Sequence, residues 1–244
     1  MQKTAIITGG GTGLGRALAQ NLAMHHFKVI IIGRRFEKLK MTQSDFKENI
    51  ISICADVSSI QGRNKIVQKI AALKLKIDYL IHNAAVVTPI APLEKIMLKK
   101  FQETIAINLE APIFLTKMLL PLLNTPSRIL HISSDCAYYP LANWIPYCVS
   151  KAGLHMAYEC LKKEFQNKPI RIGSVDPCMM DTPMQDYIRK PEVVFPEKYS
   201  DDELYEQNLL LMPEFSAKFI VKLLLETPDD KFSEKEWRVG DKLL

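Results

Sequence analysis

The fold is decided by the stretch Thr4-Ala5-Ile6-Ile7-Thr8-Gly9-Gly10-Gly11-Thr12-Gly13-Leu14-Gly15, almost at the start of the chain. Its first, β-branched apolar residues predict a buried strand, and the residues from Gly13 onward have helical periodicity. Between them, Gly9 permits a tight turn, Gly13 lets the backbone approach a pyrophosphate, and Gly15 lets helix and strand pack closely. A helix N-terminus also attracts an anion. This succession predicts a dinucleotide-binding loop, with an ordinary structural turn as the alternative.

The same alternation of strand and helix continues along the chain. Nearly continuous apolar runs are typical of strands in a parallel sheet that helices cover on both faces. We therefore predict an α/β fold, a doubly wound parallel sheet that forms a single Rossmann-fold domain over residues 1–244. Ligands of such sheets bind outside the carboxyl ends of the strands. The predicted strands are residues 4–7, 29–32, 50–53, 79–81, 128–132 and 170–175.

Composition limits the classes of function. Of the 244 residues, 48% are hydrophobic and 24% charged, as in an ordinary globular protein. The 32 basic residues behind the net charge of +5 are spread along the chain and interleaved with 27 acidic ones, which argues against a nucleic-acid partner. No apolar run approaches the ~20 residues of a membrane span, and no signal-peptide pattern begins the chain. The five cysteines are scattered without CxxC spacing, so we expect a cytoplasmic, reduced protein with no metal site and no membrane partner.

Two arginines after the second strand indicate the type of dinucleotide. Gly33-Arg34-Arg35 stands where NAD-preferring sites carry an acidic side chain for the adenine-ribose 2′-hydroxyl. Guanidinium groups bind phosphate through charge-assisted, bidentate hydrogen bonds. Arg34 and Arg35 therefore favour NADP(H), with its 2′-phosphate. The alternative is that they merely begin a solvated helix.

Polar residues also follow the third and fourth strands. Asp56, before Val57, could accept a hydrogen bond from an adenine amino group. Asn83, before Ala84, could lock neighbouring strands by bonding to backbone. Taken alone, each of these residues could equally be a polar side chain with only a structural role at a strand end.

The region after the fifth strand carries a candidate proton donor. Tyr147 and Lys151 are four residues apart at the start of a helical stretch, so they lie one turn apart on the same face. The ammonium could lower the pKa of the phenol from its reference value near ~10, which would suit proton donation to an alkoxide. Ser134, at the end of the fifth strand, could hold the same oxygen. A Tyr-Lys pair alone is equally typical of a solvated helix.

Taken together, these motifs resemble the compact branch of the short-chain dehydrogenase/reductase family, over essentially the whole chain. The resemblance implies an NADP(H)-dependent oxidoreductase that reduces a carbonyl to an alcohol, assembled as a homodimer or homotetramer. It rests on Thr8-Gly9, Gly13, Gly15, Asn83-Ala84-Ala85, Asn108, Ser134, Tyr147 and Lys151, in the family's order and spacing.

The resemblance also implies a role for each matching residue. Tyr147 is then the catalytic acid, Ser134 orients the substrate carbonyl, and Lys151 binds the nicotinamide ribose. Asn108 kinks its helix and holds a water of the proton relay. The implied cofactor contacts are Gly9, Thr12, Gly13, Leu14, Gly15, Arg34, Arg35, Asp56, Val57, Asn83, Ala84, Tyr147, Lys151, Pro177 and Thr182.

Three positions depart from the family pattern. Ala85 stands where the family has a glycine, and Pro177-Cys178 replaces the usual Pro-Gly after the sixth strand. The residue before Gly13 is Thr12, where many NADP-preferring members carry a basic side chain. Preference for NADP(H) therefore rests mainly on the two arginines after the second strand.

Substrate choice is expected in a lid over residues 179–213, which is rich in methionine and aromatic residues. Met179 and Met184, with Phe195 and Tyr199, would suit a bulky apolar or aromatic carbonyl. The lid is similar to that of the sepiapterin reductase and benzil reductase subgroup, which implies an α-dicarbonyl or sepiapterin-like substrate bound at Ser134, Tyr147, Met179 and Met184. The alternatives are a β-ketoacyl reductase, a secondary-alcohol dehydrogenase, and an NADP(H)-binding regulatory protein without turnover.

Overall fold

The computed structural model describes residues 2–190 and 210–243. Within them a single parallel sheet has the strand order β3-β2-β1-β4-β5-β6-β7. From β1 the sheet extends in one direction through β2 and β3, and in the other direction through β4 to β7. A crevice therefore forms between β1 and β4, at the carboxyl edge of the sheet. The strands are β1 (Thr4–Thr8), β2 (Lys28–Gly33), β3 (Ile50–Cys54), β4 (Ile77–His82), β5 (Leu123–Ile132), β6 (Ile170–Asp176) and β7 (Glu236–Arg238).

Helices connect the strands and cover both faces of the sheet. A π-helical turn, Ala106–Glu110, joins two of them into one bent segment. Short 3₁₀ turns lie at Ser44–Phe46, Leu93–Lys95, Leu120–Leu122 and Asp135–Ala137. The helices are α1 (Gly13–Met24), α2 (Phe36–Gln43), α3 (Ile60–Ala72), α4 (Leu98–Ile105), α5 (Ala111–Leu119), α6 (Ile145–Phe165), α7 (Pro183–Ile188), α8 (Pro213–Glu226) and α9 (Asp229–Phe232).

Two apolar cores lie on opposite faces of the sheet because successive strand residues point to opposite sides. Ile7 and Ile31 face the core under α1 and α8, to which Leu18 and Ile220 contribute. Ile6, Ile30 and Ile32 face the other core, under α3, α5 and α6. Register pairs such as Ile6 with Ile30 keep each apolar row on its own face. The sheet is thereby a rigid base for the loops at its carboxyl edge.

The predicted fold class is confirmed: a doubly wound, parallel Rossmann-type sheet in a single domain. The six predicted apolar runs all lie in strands. The prediction missed β7, which has only three residues, Glu236–Arg238, of which two are charged. Such a short run has no period for a sequence pattern to detect.

One helical stretch corrects an expectation from the sequence. Residues Leu98–Leu122 are long and apolar enough to cross a membrane by length and composition alone. About 39% of its most apolar window is buried, and Leu115 and Leu119 are among the residues that pack against the sheet. A core helix passes the same test as a membrane span, so the stretch is weak evidence for one.

Candidate active site

A cavity of about 1310 Å³ opens at the carboxyl ends of the strands, where a doubly wound sheet binds its ligands. The glycine loop and the two arginines line one end of it. Ser134, Tyr147 and Lys151 line the other end. Among the described residues, every predicted cofactor contact and every predicted substrate contact borders this cavity; of the predicted catalytic residues, Asn108 does not.

The glycine loop has a backbone conformation and close contacts that favour glycine. Gly9 and Gly13 have φ values of 71° and 51°, which residues with a side chain rarely adopt. A Cβ on Gly15 would stand 2.3 Å from the Gly9 carbonyl oxygen, so only glycine allows this helix to begin so close to β1. The first turn of α1 contains no acidic side chain, and Thr12 makes no capping hydrogen bond. The N–H groups of this turn are therefore left for an anion.

Arg34 and Arg35 lie beside this loop, at the rim of the cavity. The Arg35 guanidinium donates a hydrogen bond to Thr12 Oγ1 at 3.2 Å. Thr12 is the position at which the family often has a basic residue, so Arg35 brings a positive charge to it from β2. Lys38 borders the same end of the cavity.

The end of β4 is tied to the end of β1. Asn83 Nδ2 donates to the Thr8 carbonyl oxygen at 2.9 Å, and Thr8 Oγ1 accepts from the Asn83 and Ala84 amides at 3.0 Å. This is the strand-locking role that the sequence suggested for Asn83. Asp56 uses one carboxylate oxygen to accept from the Ser58 amide at 2.9 Å and the Ser58 hydroxyl at 2.7 Å.

Tyr147 and Lys151 lie on α6, as their spacing predicted, and both are buried. The expected lowering of the tyrosine pKa is wrong for this structure: burial raises the pKa of Tyr147 well above its usual value, and a hydrogen bond with Ser134 opposes the shift only in part. Lys151 Nζ is 5.6 Å from the centre of the Tyr147 ring and donates to the Ile132 carbonyl oxygen at 2.8 Å. Burial lowers the pKa of Lys151 to about 8.

Ser134 begins the 3₁₀ turn that leaves β5. Its Oγ accepts from the Cys136 amide at 3.2 Å and donates to Asp135 Oδ1 at 3.2 Å. The hydroxyl is thereby fixed beside Tyr147, whose pKa responds to it. The two groups can act on one oxygen atom.

Asn108 lies in the π-helical turn, which is the kink that the resemblance implied. Its Nδ2 donates to the Val86 carbonyl oxygen at 2.8 Å and to Ser150 Oγ at 3.0 Å, and Ser150 Oγ donates to the Tyr147 carbonyl oxygen at 2.7 Å. The amide thus connects the loop after β4 to the backbone of Tyr147. Both of its N–H groups are used by protein, and the relay water stays a prediction.

The segment after β6 returns to the glycine loop. A Cβ on Gly13 would lie 3.1 Å from Thr182 Cγ2, so this segment packs against the glycine loop, and both border the cavity. Cys178 has φ 61°, the left-handed conformation of the glycine it replaces, and its amide donates to Asp176 Oδ1 at 3.0 Å. Cys178 therefore holds a backbone conformation that glycine adopts freely, at a cost of about 1–2 kcal/mol.

Of the predicted lid, Met179 and Met184 border the cavity, and Leu211 pairs with Met180 through a backbone bridge. Residues 191–209 lie outside the described part, and with them the predicted contributions of Phe195 and Tyr199.

Several residues at the reacting end were not predicted from the sequence. They share apolar character and form a cluster around Tyr147: Val87, Ile90, Cys136, Leu141 and Trp144. Tyr187 and Ile188, from the predicted lid, pack on the same cluster. The high apolar content between Ser134 and Tyr147 was a usable signal for three of them, Cys136, Leu141 and Trp144. Arg238 also borders the cavity and pairs with Asp176 at 3.2 Å, but it comes from the undetected β7.

Comparison with known proteins agrees with this geometry. A family model described as short chain dehydrogenase matches residues 3–193. The chain is 32% identical to a benzil reductase, (S)-benzoin forming, of Bacillus cereus over 92% of this chain and 94% of that protein. It is 29% identical to the enzyme of the same name from Bacillus subtilis, over 90% and 92% of the two chains.

Solved structures give the same result for the fold. A short-chain dehydrogenase/reductase from Saccharomyces cerevisiae superimposes with a TM-score of 0.88, at 26% identity. The match covers 98% of this chain and 96% of the yeast protein.

Proposed function

The chain belongs to the short-chain dehydrogenase family of oxidoreductases, and from that premise we propose that it is an NADPH-dependent reductase of bulky α-dicarbonyl compounds. One observation carries the proposal. Tyr147, Ser134 and Lys151 meet at one end of a cavity whose other end is a glycine loop flanked by two arginines. Benzil, an aromatic diketone, is the substrate named for two relatives.

The residues present fit a phosphorylated dinucleotide. The uncapped N-terminus of α1 suits the pyrophosphate, and Arg34 and Arg35 suit a 2′-phosphate. Lys151 Nζ donates to one protein carbonyl, and its remaining N–H groups would hold the ribose hydroxyls next to the nicotinamide. When bound, the nicotinamide supplies the hydride that the protein itself cannot.

The side chains at the reacting end then handle the oxygen of the substrate. Tyr147 donates its proton to the carbonyl oxygen as negative charge develops there, and Ser134 turns its O–H from Asp135 to donate a hydrogen bond to the same atom. The Lys151 ammonium stabilises the phenolate that remains. Asn108, through Ser150, holds the backbone of Tyr147 so that its hydroxyl stays aligned.

Burial of Tyr147 keeps its phenol in the protonated form that carbonyl reduction requires. Because burial raises the pKa of its phenol, Tyr147 keeps its proton at neutral pH and is ready to act as an acid. Oxidation of an alcohol would require the deprotonated phenol, which burial disfavours.

The apolar surroundings support a bulky, poorly hydrated substrate. Trp144 packs edge-on against Tyr147, with ring centres 5.8 Å apart, and Tyr187 and Met184 pack on the same cluster. Aromatic rings prefer such surfaces, and the adjacent carbonyls of a diketone would then lie between Ser134 and Tyr147.

The test is a Tyr147→Phe variant, assayed for NADPH oxidation with benzil and for NADPH binding by fluorescence. The ring stays while the proton donor is lost, so we expect turnover to fall by about 10³-fold with NADPH affinity unchanged. Near wild-type turnover would show that Tyr147 is not the proton donor.

A regulatory protein that binds NADP(H) without turnover is the second candidate. It would gain support if the wild-type chain bound NADPH tightly and oxidised it with no carbonyl of a broad panel. The presence of Ser134, Tyr147 and Lys151 around one cavity favours the enzyme.

We also propose that copies of the chain associate through the outer faces of α4, α5 and α6. Leu98, Phe114, Val149 and Met156 on these helices are large, apolar and exposed. Sedimentation should show a dimer or tetramer that a Phe114→Glu change weakens. A wild-type monomer at every concentration would contradict this.

A further inference from the structure

An arginine outside the candidate active site joins two segments that border it. Arg63 lies in the first turn of α3, and its side chain is buried. Its Nη1 donates to the Val57 carbonyl oxygen at 2.9 Å and to the Ser58 carbonyl oxygen at 3.2 Å, in the loop whose Asp56 and Val57 border the cavity. Its Nη2 donates to Glu110 Oε1 at 2.7 Å. Arg63 therefore links the loop after β3 to the π-helical turn, Ala106–Glu110.

The pair of Arg63 and Glu110 differs from an ordinary surface ion pair. The Arg63 side chain is only 5% exposed, whereas the side chains of Lys100 and Glu103, a surface pair, are 46% and 45% exposed. A buried guanidinium is stable only when its charge and its N–H groups have partners. Arg63 binds three oxygen atoms from two separate segments. Moving either segment would take partners from a buried charge, so the contacts oppose relative movement of the two segments.

The π-helical turn also makes the contacts of Asn108. Such turns are uncommon and occur mostly inside longer helices, often at functional sites. Ile107 of this turn borders the cavity. Asn108 Oδ1 accepts from the Val86 amide at 2.9 Å, and Asn108 Nδ2 donates to Ser150 Oγ at 3.0 Å. One short turn is thus held by Asn108 towards the loop after β4 and α6, and by Glu110 towards α3, so loss of the Glu110 contact should loosen those of Asn108.

We propose that Arg63 is a positioning residue: through Glu110 it fixes the π-helical turn and so keeps Asn108 aligned. Asn108 in turn holds the backbone of Tyr147 through Ser150. Arg63 does not itself border the cavity, so it acts through these neighbours. The alignment follows from the contacts of the two segments; its effect on turnover rests on the proposed function.

The contacts of Arg63 can be removed separately. Glu110→Ala removes the contact with the π-helical turn but leaves the bonds from Arg63 to the carbonyl oxygens of Val57 and Ser58. Because the Glu110 side chain is 42% exposed, water can replace its carboxylate, and the variant should fold. Glu110→Gln keeps an oxygen that can accept from Arg63 and is the conservative variant. Arg63→Met removes both sets of contacts and should also disturb the loop after β3.

The experiment measures amide hydrogen exchange by NMR in the wild type and these variants, without substrate or cofactor. The Val86 amide reports the contact with Asn108, and the Leu80 amide, in β4, reports global unfolding. Asn108→Ala gives the Val86 rate expected when the contact is lost. Glu159→Ala is the matched control, because it removes the partly buried partner of Lys162, 2.9 Å away on α6.

Turnover of benzil with NADPH is measured on the same proteins. Glu110→Ala should lower kcat about tenfold and leave the KM for NADPH unchanged, because misalignment of Tyr147 affects the reacting atoms and not the binding of cofactor. Arg63→Met should lower kcat and also raise the KM for NADPH, through the loop after β3. The double variant Asn108→Ala with Glu110→Ala should lose no more kcat than Asn108→Ala alone, because Glu110 acts through Asn108.

Glu110→Ala and Arg63→Met should raise the exchange rate of the Val86 amide about tenfold beyond any change at Leu80. Glu110→Gln and Glu159→Ala should not. A role in stability alone would raise both rates together, so a Val86 rate that changes only as much as the Leu80 rate would overturn the proposal. Equal Val86 rates in wild type and Asn108→Ala, or losses of kcat that add in the double variant, would also overturn it.

The exchange rates need no turnover. If the wild type reduced no carbonyl, the proposed function would fail, and the Val86 and Leu80 rates would still decide whether Arg63 aligns the π-helical turn.

Discussion

The dinucleotide end of the cavity is shaped by backbone, whereas the reacting end is shaped by side chains. At the first, Gly9 and Gly13 hold positive φ values, and α1 begins directly above β1. At the second, Tyr147, Lys151 and an apolar cluster from several loops meet around an empty volume. Backbone constraints leave a local glycine pattern, while side-chain clusters draw on distant parts of the chain. Substitutions at the two ends of the cavity should therefore have different effects.

The largest effect is expected from Gly15→Ala at the backbone end. The new Cβ would stand 2.3 Å from the Gly9 carbonyl oxygen, so helix and loop must separate. We expect a loss of about 3 kcal/mol in the free energy of unfolding, together with loss of NADPH binding. Urea denaturation and cofactor fluorescence measure both.

Gly240→Ala is the matched control, because Gly240 has φ 103° but nothing within 4 Å of an added Cβ. It isolates backbone strain, which we expect to cost about 1 kcal/mol. Equal losses in the two variants would mean that contact with Gly9 is not what makes Gly15 necessary.

Removing both arginines, Arg34→Ala with Arg35→Ala, should change the choice of cofactor. Loss of charge-assisted hydrogen bonds to a 2′-phosphate costs about 2 kcal/mol, so the KM for NADPH should rise roughly 30-fold. The KM for NADH should hardly move. Lys40→Ala, on α2 but away from the cavity, is the control for general loss of positive charge. A similar rise in the KM for NADH would show that the arginines support folding and do not select the 2′-phosphate.

Two buried histidines lie in the central strands β4 and β5, and they predict how stability depends on pH. His82 ends β4, His131 lies in β5, and their rings are 5.4 Å apart. Burial lowers the pKa of His131 to about 3, and that of His82 well below its usual value. In acid the unfolded chain therefore binds more protons than the folded chain, so the free energy of unfolding falls as pH drops below ~6.5.

For His131 the fall should approach about 1.4 kcal/mol per pH unit and cease near its folded pKa of about 3. His131→Gln, which stays neutral, should flatten the dependence of the unfolding midpoint on pH between neutrality and a pH of about 5. An unchanged slope would show that other groups dominate.

The smallest effect is expected at the side-chain end, from Met184→Ala. Loss of apolar contact should raise the KM for benzil about fivefold, or roughly 1 kcal/mol, while the KM for NADPH stays constant. Met41→Ala, an exposed residue on α2, should change neither constant. A change in the KM for NADPH alone would show that Met184 contacts the cofactor and not the substrate.

The contrast also explains what could be predicted from the sequence. The glycine loop, the strand ends and the Tyr147–Lys151 spacing are local patterns, and each reaches the cavity as expected. The pKa of Tyr147 could not be predicted, because it depends on burial by residues from other elements. Arg238 was missed because its strand is too short to detect.

The most direct test of the central claim is NADPH oxidation by the purified wild-type protein with benzil, a second α-diketone, sepiapterin and a β-ketoester, with NADH run in parallel. Faster turnover of a diketone with NADPH than with NADH is the predicted result, because it requires both ends of the cavity to act as assigned. Tight NADPH binding with no oxidation on any of these carbonyls, or faster turnover with NADH, would contradict the account.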